Sequence, residues 1–199
     1  MSDQFTKTVD ALTHSQLTKE PTAQPPSVFA FGEVLDGCYE VQEILGSGGM
    51  GQVFAAIDRD LDRKVAIKGA WPGHGENIRR EARALAALRH PSMVAVHTIG
   101  RHLDVDYMVM ERIFGTSLHT NMSRYYVANE RMPIDDVLDI LLGLGDAMSV
   151  VHEVGLAHLD LKPSNVMLAP RGRVVLMDFG IAEAECSDRK LNARPAGTV

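Results

Sequence analysis

The chain has 199 residues, is 45% hydrophobic and 23% charged, and carries a formal net charge of -6. This composition suits a globular protein of one domain or two small lobes, and the acidic balance argues against nucleic acid as a partner. Cys38 and Cys186 form no C-x-x-C pair, the histidines show no metal-ligand spacing, no run reaches a membrane span, and the amino terminus lacks a signal pattern, so a reducing, cytoplasmic setting is expected.

Residues 1–34 are expected to form a flexible tail. Up to about Val28 they are rich in Thr, Ser, Gln and Pro, with Pro21, Pro25 and Pro26 close together, and they show little apolar periodicity. From Phe29 the composition changes. Residues 39–45 alternate apolar with polar, as a half-buried strand does. Gly46-Ser47-Gly48-Gly49-Met50-Gly51 then fits G-x-G-x-x-G, and residues 52–57 read as a second strand. A dinucleotide-binding fingerprint opens a helix after its glycines, whereas here the glycines sit at a hairpin tip. Glycine suits that place because bare backbone approaches a phosphate closely and tolerates positive φ.

A polar turn over residues 58–63 leads to a third strand over 64–68, which ends Val65-Ala66-Ile67-Lys68. Residues 76–89 have helical periodicity, with Ile78, Leu85 and Leu88 on one stripe and His90-Pro91 closing it. Glu81 stands on the same stripe. A carboxylate facing a core is costly unless paired, so the periodicity asks for a buried cation, for which Lys68 is the candidate. Strands follow at 93–99 and 105–110, then a polar stretch with Gly115 and Ser117. Pro133 opens a long amphipathic helix with Asp135 and Asp136 in its first turn and Gly155 past its end. Val137, Leu141, Leu144, Met148 and Val151 are its expected core face. Two short apolar runs, 166–168 and 174–176, flank Pro170-Arg171-Gly172 as a hairpin.

On either side of that hairpin stand His158-Leu159-Asp160-Leu161-Lys162-Pro163-Ser164-Asn165 and Asp178-Phe179-Gly180. With the glycine hairpin and the V-A-I-K strand, they resemble the catalytic loop and metal-binding turn of the eukaryotic-type protein kinases, and the resemblance runs from about Leu35 to the last residue. Lys162 after Asp160 is similar to serine/threonine members, and the stretch from Gly46 to Lys68 resembles the bacterial ones. The resemblance implies an α+β, two-lobed fold. Its N-lobe, residues 35–111, has a five-stranded antiparallel sheet and one helix, and its C-lobe, residues 112–199, is partial, mainly helical and ends in the activation segment.

The resemblance also implies roles. Phosphoryl transfer needs alignment of oxygens and neutralisation of phosphate charge more than covalent chemistry. Asp160 is expected to orient the substrate hydroxyl as base, and Lys162 to reach the transferring phosphate. Lys68, paired with Glu81, would clamp the α and β phosphates beneath the loop of Gly46, Ser47, Gly48, Gly49, Met50 and Gly51. Val53, Ala66 and Met110 would line the adenine site, with backbone groups of Glu111 and Ile113 bonding the base. Met108 and Met110 read equally well as core. Asn165 and Asp178 supply the hard oxygens that Mg2+ prefers. ATP and Mg2+ are the implied cofactors, and a protein carrying Ser or Thr is the implied substrate.

Some features depart from the family pattern. Leu159 replaces an arginine that in other members holds an activation-segment phosphate, so activity independent of such a phosphate is expected. The connection from Lys68 to Glu81 is short. Ser187 is the sole Ser or Thr between Gly180 and Thr198, Cys186 falls in an expected exposed loop, and the chain stops at Val199 with no Ala-Pro-Glu motif. The long helix is therefore expected to expose an apolar face, which a partner could cover. The alternatives to a protein serine/threonine kinase are a module that binds Mg-ATP without transfer, an interaction module built on that helix face, and a small-molecule phosphotransferase.

Overall fold

The computed structural model describes residues 27–179. The expected tail up to residue 26, and Gly180, Cys186, Ser187 and Gly197-Thr198, lie outside the described residues.

A six-stranded antiparallel sheet has the order β1-β2-β3-β4-β6-β5. Its strands are β1 (Val34–Leu35), β2 (Tyr39–Gly48), β3 (Gly51–Asp58), β4 (Arg63–Ala70), β5 (Val96–His102) and β6 (Val105–Glu111). The expectation of five strands is corrected by β1, which pairs with the start of β2 through Val34↔Glu40 and Leu35↔Tyr39. The turn between them carries positive φ at Asp36 (48°) and Gly37 (73°), so the Asp-Gly pair was a readable hairpin signal.

Strand alternation gives the sheet two distinct faces. Ala66 and Ala70 join Ile78, Ala82 and Leu85 of α1 (Gly75–Ala87) and Met108 and Met110 in one core. Val65 and Ile67 face the other way, into a second core with Phe54, Tyr107, Val109 and Phe29. The last of these corrects the boundary of the tail. Phe29 is only 2% exposed and packs edge-on to Tyr107, with ring centroids 6.1 Å apart. Residues 27–34 therefore cover the outer face of the sheet. Phe29→Ala is expected to cost about 3–5 kcal/mol, since it removes a buried ring that nothing can replace. Urea unfolding measures this, and a loss no larger than that of an exposed residue would contradict the packing role.

The strand expected from residue 93 begins at Val96. Met93 and Val94 are buried and serve a different purpose, because Val94 N–H donates to Leu176 O and Leu176 N–H to Ser92 O, at 3.2 and 2.8 Å. These bonds join the segment that leads into β5 to a small sheet, ordered β7 (Thr116–Ser117), β8 (Val166–Leu168) and β9 (Val174–Leu176).

The polar stretch after Gly115 contains a helix, α2 (Leu118–Ala128). Ser117 caps it, accepting from Thr120 N–H at 3.1 Å, and Asn129 ends it in the left-handed conformation. It buries no residue, so it has no apolar stripe for periodicity to detect. The long helix is α3 (Ile134–Glu153), and Pro133 caps it rather than forming its first turn. Its core face is also re-phased. Ile140, Ala147 and Val151 are buried, with Leu144 and Met148 partly so, whereas the expected core residue Leu141 is 59% exposed. Leu141 instead shares an exposed apolar face with Ile134, Leu138 and Leu142. No helix among the described residues is long and apolar enough to cross a membrane.

Candidate active site

Strand β4 turns Lys68 toward α1, and α1 turns Glu81 toward β4. Lys68 Nζ donates to both Glu81 oxygens at 2.8 Å and to Asp178 Oδ1 at 2.9 Å. Lys68 is 8% and Glu81 1% exposed, so the pairing demanded by the helical stripe is present. The short connection between them does not prevent it. Burial alone would pull the Lys68 ammonium down, but the Asp178 and Glu81 carboxylates outweigh it and hold its pKa above the ordinary value. Burial pushes the Glu81 carboxyl up to about 7, and Asp178 adds to this against the pull of Lys68.

Folded Glu81 thus keeps its proton to higher pH than the unfolded chain does. Folding takes up a proton between the ordinary carboxylate range and about 7, and this group's contribution to stability falls as pH rises through that window. The ion pair itself is complete only above the window. Stability to urea is accordingly expected to fall as pH rises toward about 7, and a Glu81→Gln variant should lose that dependence. An unchanged dependence in that variant would assign the titration elsewhere.

The loop preceding β8 is organised by His158, which is buried beneath Phe179 with ring centroids 4.5 Å apart. Its Nε2–H donates to Met177 O at 3.1 Å, and its Nδ1 accepts from Asp160 N–H at 3.3 Å. Burial holds this imidazole below its usual pKa, consistent with a neutral ring that donates on one side and accepts on the other. Asp160 Oδ2 accepts from Lys162 Nζ at 2.6 Å and from Asn165 Nδ2 at 3.0 Å. The Lys162 hydrogen bond comes first among the causes that keep the Asp160 carboxyl below the usual range. Among the described residues its Oδ1 accepts from none, so one carboxylate oxygen stays open to a further donor.

Asn165 also donates to the Asp160 carbonyl at 2.9 Å, and its own carbonyl accepts Met177 N–H at 2.7 Å. One residue, through its side-chain amide and its backbone carbonyl, thereby ties the loop to the strand end that leads into Asp178. Its Oδ1 has no donor among the described residues, and this oxygen and the Asp178 carboxylate are the hard donors that would suit Mg2+. Asp178 and Leu159 hold positive φ, at 33° and 57°, and Leu159 is exposed.

The glycine hairpin joins β2 to β3, with Gly46↔Val53, Ser47↔Gln52 and Gly48↔Gly51 opposed. Positive φ is not what its glycines supply, since none of the four adopts it. A Cβ at Gly46, Gly48 or Gly49 would meet nothing within 4 Å, whereas one at Gly51 would lie 2.1 Å from Gly69 O. Three of them leave open room and the fourth permits close strand packing. Ala66 and Met110 are buried and Val53 is partly buried, all in the core that also holds Met108.

One of the backbone groups expected at the adenine site is already engaged. Glu111 N–H already donates to Ala95 O at 2.8 Å, while Ile113 has no backbone partner among the described residues. The Glu111 carboxylate is engaged by Arg173, whose Nη1 and Nη2 donate to its two oxygens at 2.5 and 2.9 Å, and Arg173 Nε donates to Pro91 O at 2.8 Å. The Arg173 guanidinium keeps the Glu111 carboxyl below its usual range. Sequence reasoning missed this clamp, because an arginine after a Pro-Arg-Gly turn carries no mark of a partner 62 residues away.

The protein kinase domain family matches residues 39–198. The serine/threonine-protein kinase PknA of Mycobacterium tuberculosis is 37% identical over 164 residues, covering 77% of this chain and 37% of the relative. The serine/threonine-protein kinase PksC of Streptomyces coelicolor is 41% identical over 154 residues, covering 72% of this chain and 28% of the relative. Among solved structures, the PknI kinase domain of Mycobacterium tuberculosis superposes with a TM-score of 0.66 at 28% identity, covering 77% of this chain and 64% of that one. The chain spans less than two fifths of the length of these two curated relatives.

Proposed function

This chain belongs to the protein kinase domain family, and we propose that it transfers the γ-phosphate of ATP to a serine or threonine hydroxyl of a protein. The observation that carries this reading is the triple contact of Lys68, which links β4, α1 and the start of the Asp178 turn through two carboxylates. Asp178 comes from 110 positions away, and a purely structural Lys68–Glu81 pair would not need this half-exposed carboxylate.

In this reading Lys68 binds the α and β phosphates, Glu81 orients Lys68, and the glycine hairpin covers the phosphates with backbone amides. Asn165 and Asp178 hold Mg2+, which neutralises charge on the phosphates when bound. Asp160 accepts the substrate hydroxyl's hydrogen bond through Oδ1 and aligns it, and Lys162, already on Oδ2, offers its cation to the transferring group. Leu159 cannot pair with a phosphate, so activity free of that requirement belongs to the same proposal.

A second reading, Mg-ATP binding without transfer, draws on the exposed apolar face of α3, since this helix leads into the catalytic loop. The test is transfer of γ-labelled phosphate from Mg-ATP to mixed protein substrates by the purified chain, beside Asp160→Ala. Label on serine or threonine that vanishes in the variant supports the kinase. Saturable ATP binding with no label moves the conclusion to the second reading.

A further inference from the structure

Trp71 is the sole tryptophan of the chain and follows β4 three residues after Lys68. Its backbone N–H donates to Met50 O at 3.0 Å, one step beyond the Gly51↔Ala70 pair that ends the ladder between β3 and β4. Its indole Nε1–H donates to Gly48 O at 2.8 Å. One residue thus holds the two carbonyls that flank Gly49 at the tip of the glycine hairpin.

Side-chain packing does little to hold that tip, because the Cβ positions of Gly48 and Gly49 have open space around them. Burial does not force the indole bond either, since Trp71 is only half-buried and water could take its N–H. The segment from Lys68 to Trp71 is itself pinned from the opposite side. A Cβ at Gly69 would lie 2.5 Å from the Phe29 ring, and Val28 N–H donates to Gln52 Oε1 at 2.8 Å. A rigid four-residue span therefore connects the ammonium of Lys68 to the clasp on the hairpin.

We propose that Trp71 is a positioning residue that holds the glycine hairpin at a set distance from Lys68, so that hairpin amides and the ammonium reach the same phosphates. This rests on the Mg-ATP reading above. Both hydrogen bonds that Trp71 donates go to the hairpin tip, and among the described residues none goes to the segment from Met110 to Ile113, so the clasp acts on phosphates and not on adenosine.

The test compares Trp71→Phe, which keeps a ring and removes the N–H, with the unaltered full chain by calorimetric titration with Mg-ATP and with adenosine. Mg-ATP affinity is expected to fall about fivefold, the ordinary net worth of a neutral hydrogen bond, and adenosine affinity to stay unchanged. Equal losses for both ligands, or no loss for Mg-ATP, overturn the clasp while leaving the kinase reading intact. An unaltered chain that binds neither ligand overturns both. Should the variant fail to fold, the emission of Trp71 in the unaltered chain decides. A saturable change with Mg-ATP and none with adenosine supports the clasp, and constant emission at saturating Mg-ATP overturns it.

Discussion

Asp160→Asn is expected to lower phosphoryl transfer about 10² to 10⁴-fold, the range ascribed to a positioned acid or base, while Mg-ATP affinity stays nearly unchanged. The replacement is isosteric, and the side chain is exposed enough to leave the fold intact. What it removes is the anion. An amide places either an N–H or a neutral oxygen where Lys162 and Asn165 now converge on Oδ2, and its remaining atom cannot take up a hydroxyl proton. The Lys162 hydrogen bond keeps the Asp160 carboxyl below its usual range, so the amide removes a charge that is present throughout the neutral range. Steady-state rates and nucleotide titrations on the two proteins check both statements. Turnover within a few-fold of the unaltered chain would remove Asp160 from the proposed chemistry.

Lys68→Met should unsettle the fold as well as the site. It leaves Glu81 buried with no cation, a loss of about 3–5 kcal/mol for pairs broken from one side. Asp178 escapes most of that cost because it is partly exposed. Glu81 can relieve its own by keeping a proton, and without Lys68 its pKa moves above the present value of about 7. The destabilisation is therefore smaller below that pH and larger above it, since the unfolded carboxyl is ionised in both conditions and the folded one pays more to ionise. Urea unfolding on both sides of neutrality measures the difference. Adding Glu81→Leu to the same variant should restore much of the stability, because an apolar pair needs no partner there, yet restore no nucleotide binding. Equal losses at both pH values, or a double variant weaker than the single one, would contradict the buried-pair account.

Only part of this site was legible before the fold. Glu81 on an apolar helical stripe predicted a buried cation, and Lys68 is that cation at 2.8 Å. The hairpin placement of the glycines was equally readable, because a strand pattern follows them. Positions that depend on a distant surface were not readable. Phe29 looks like the end of a polar tail until the outer face of the sheet receives it, and Leu141 looks like core until the re-phased helix turns it to solvent. Helix α2 has neither a stripe nor a buried residue, so only its end residues, Ser117 and Asn129, could signal it.

The sequence by itself determined the local geometry, because strand alternation, helical periodicity and turn chemistry are written in neighbouring residues. It also determined the family, through short runs whose spacing the chemistry constrains. Tertiary structure alone decided which distant groups meet: Asp178 on Lys68 across 110 positions, Arg173 on Glu111 across 62, and the indole of Trp71 on Gly48 across 23. Such contacts depend on how the sheets and helices of the described residues stack, and no period in the chain encodes that stacking.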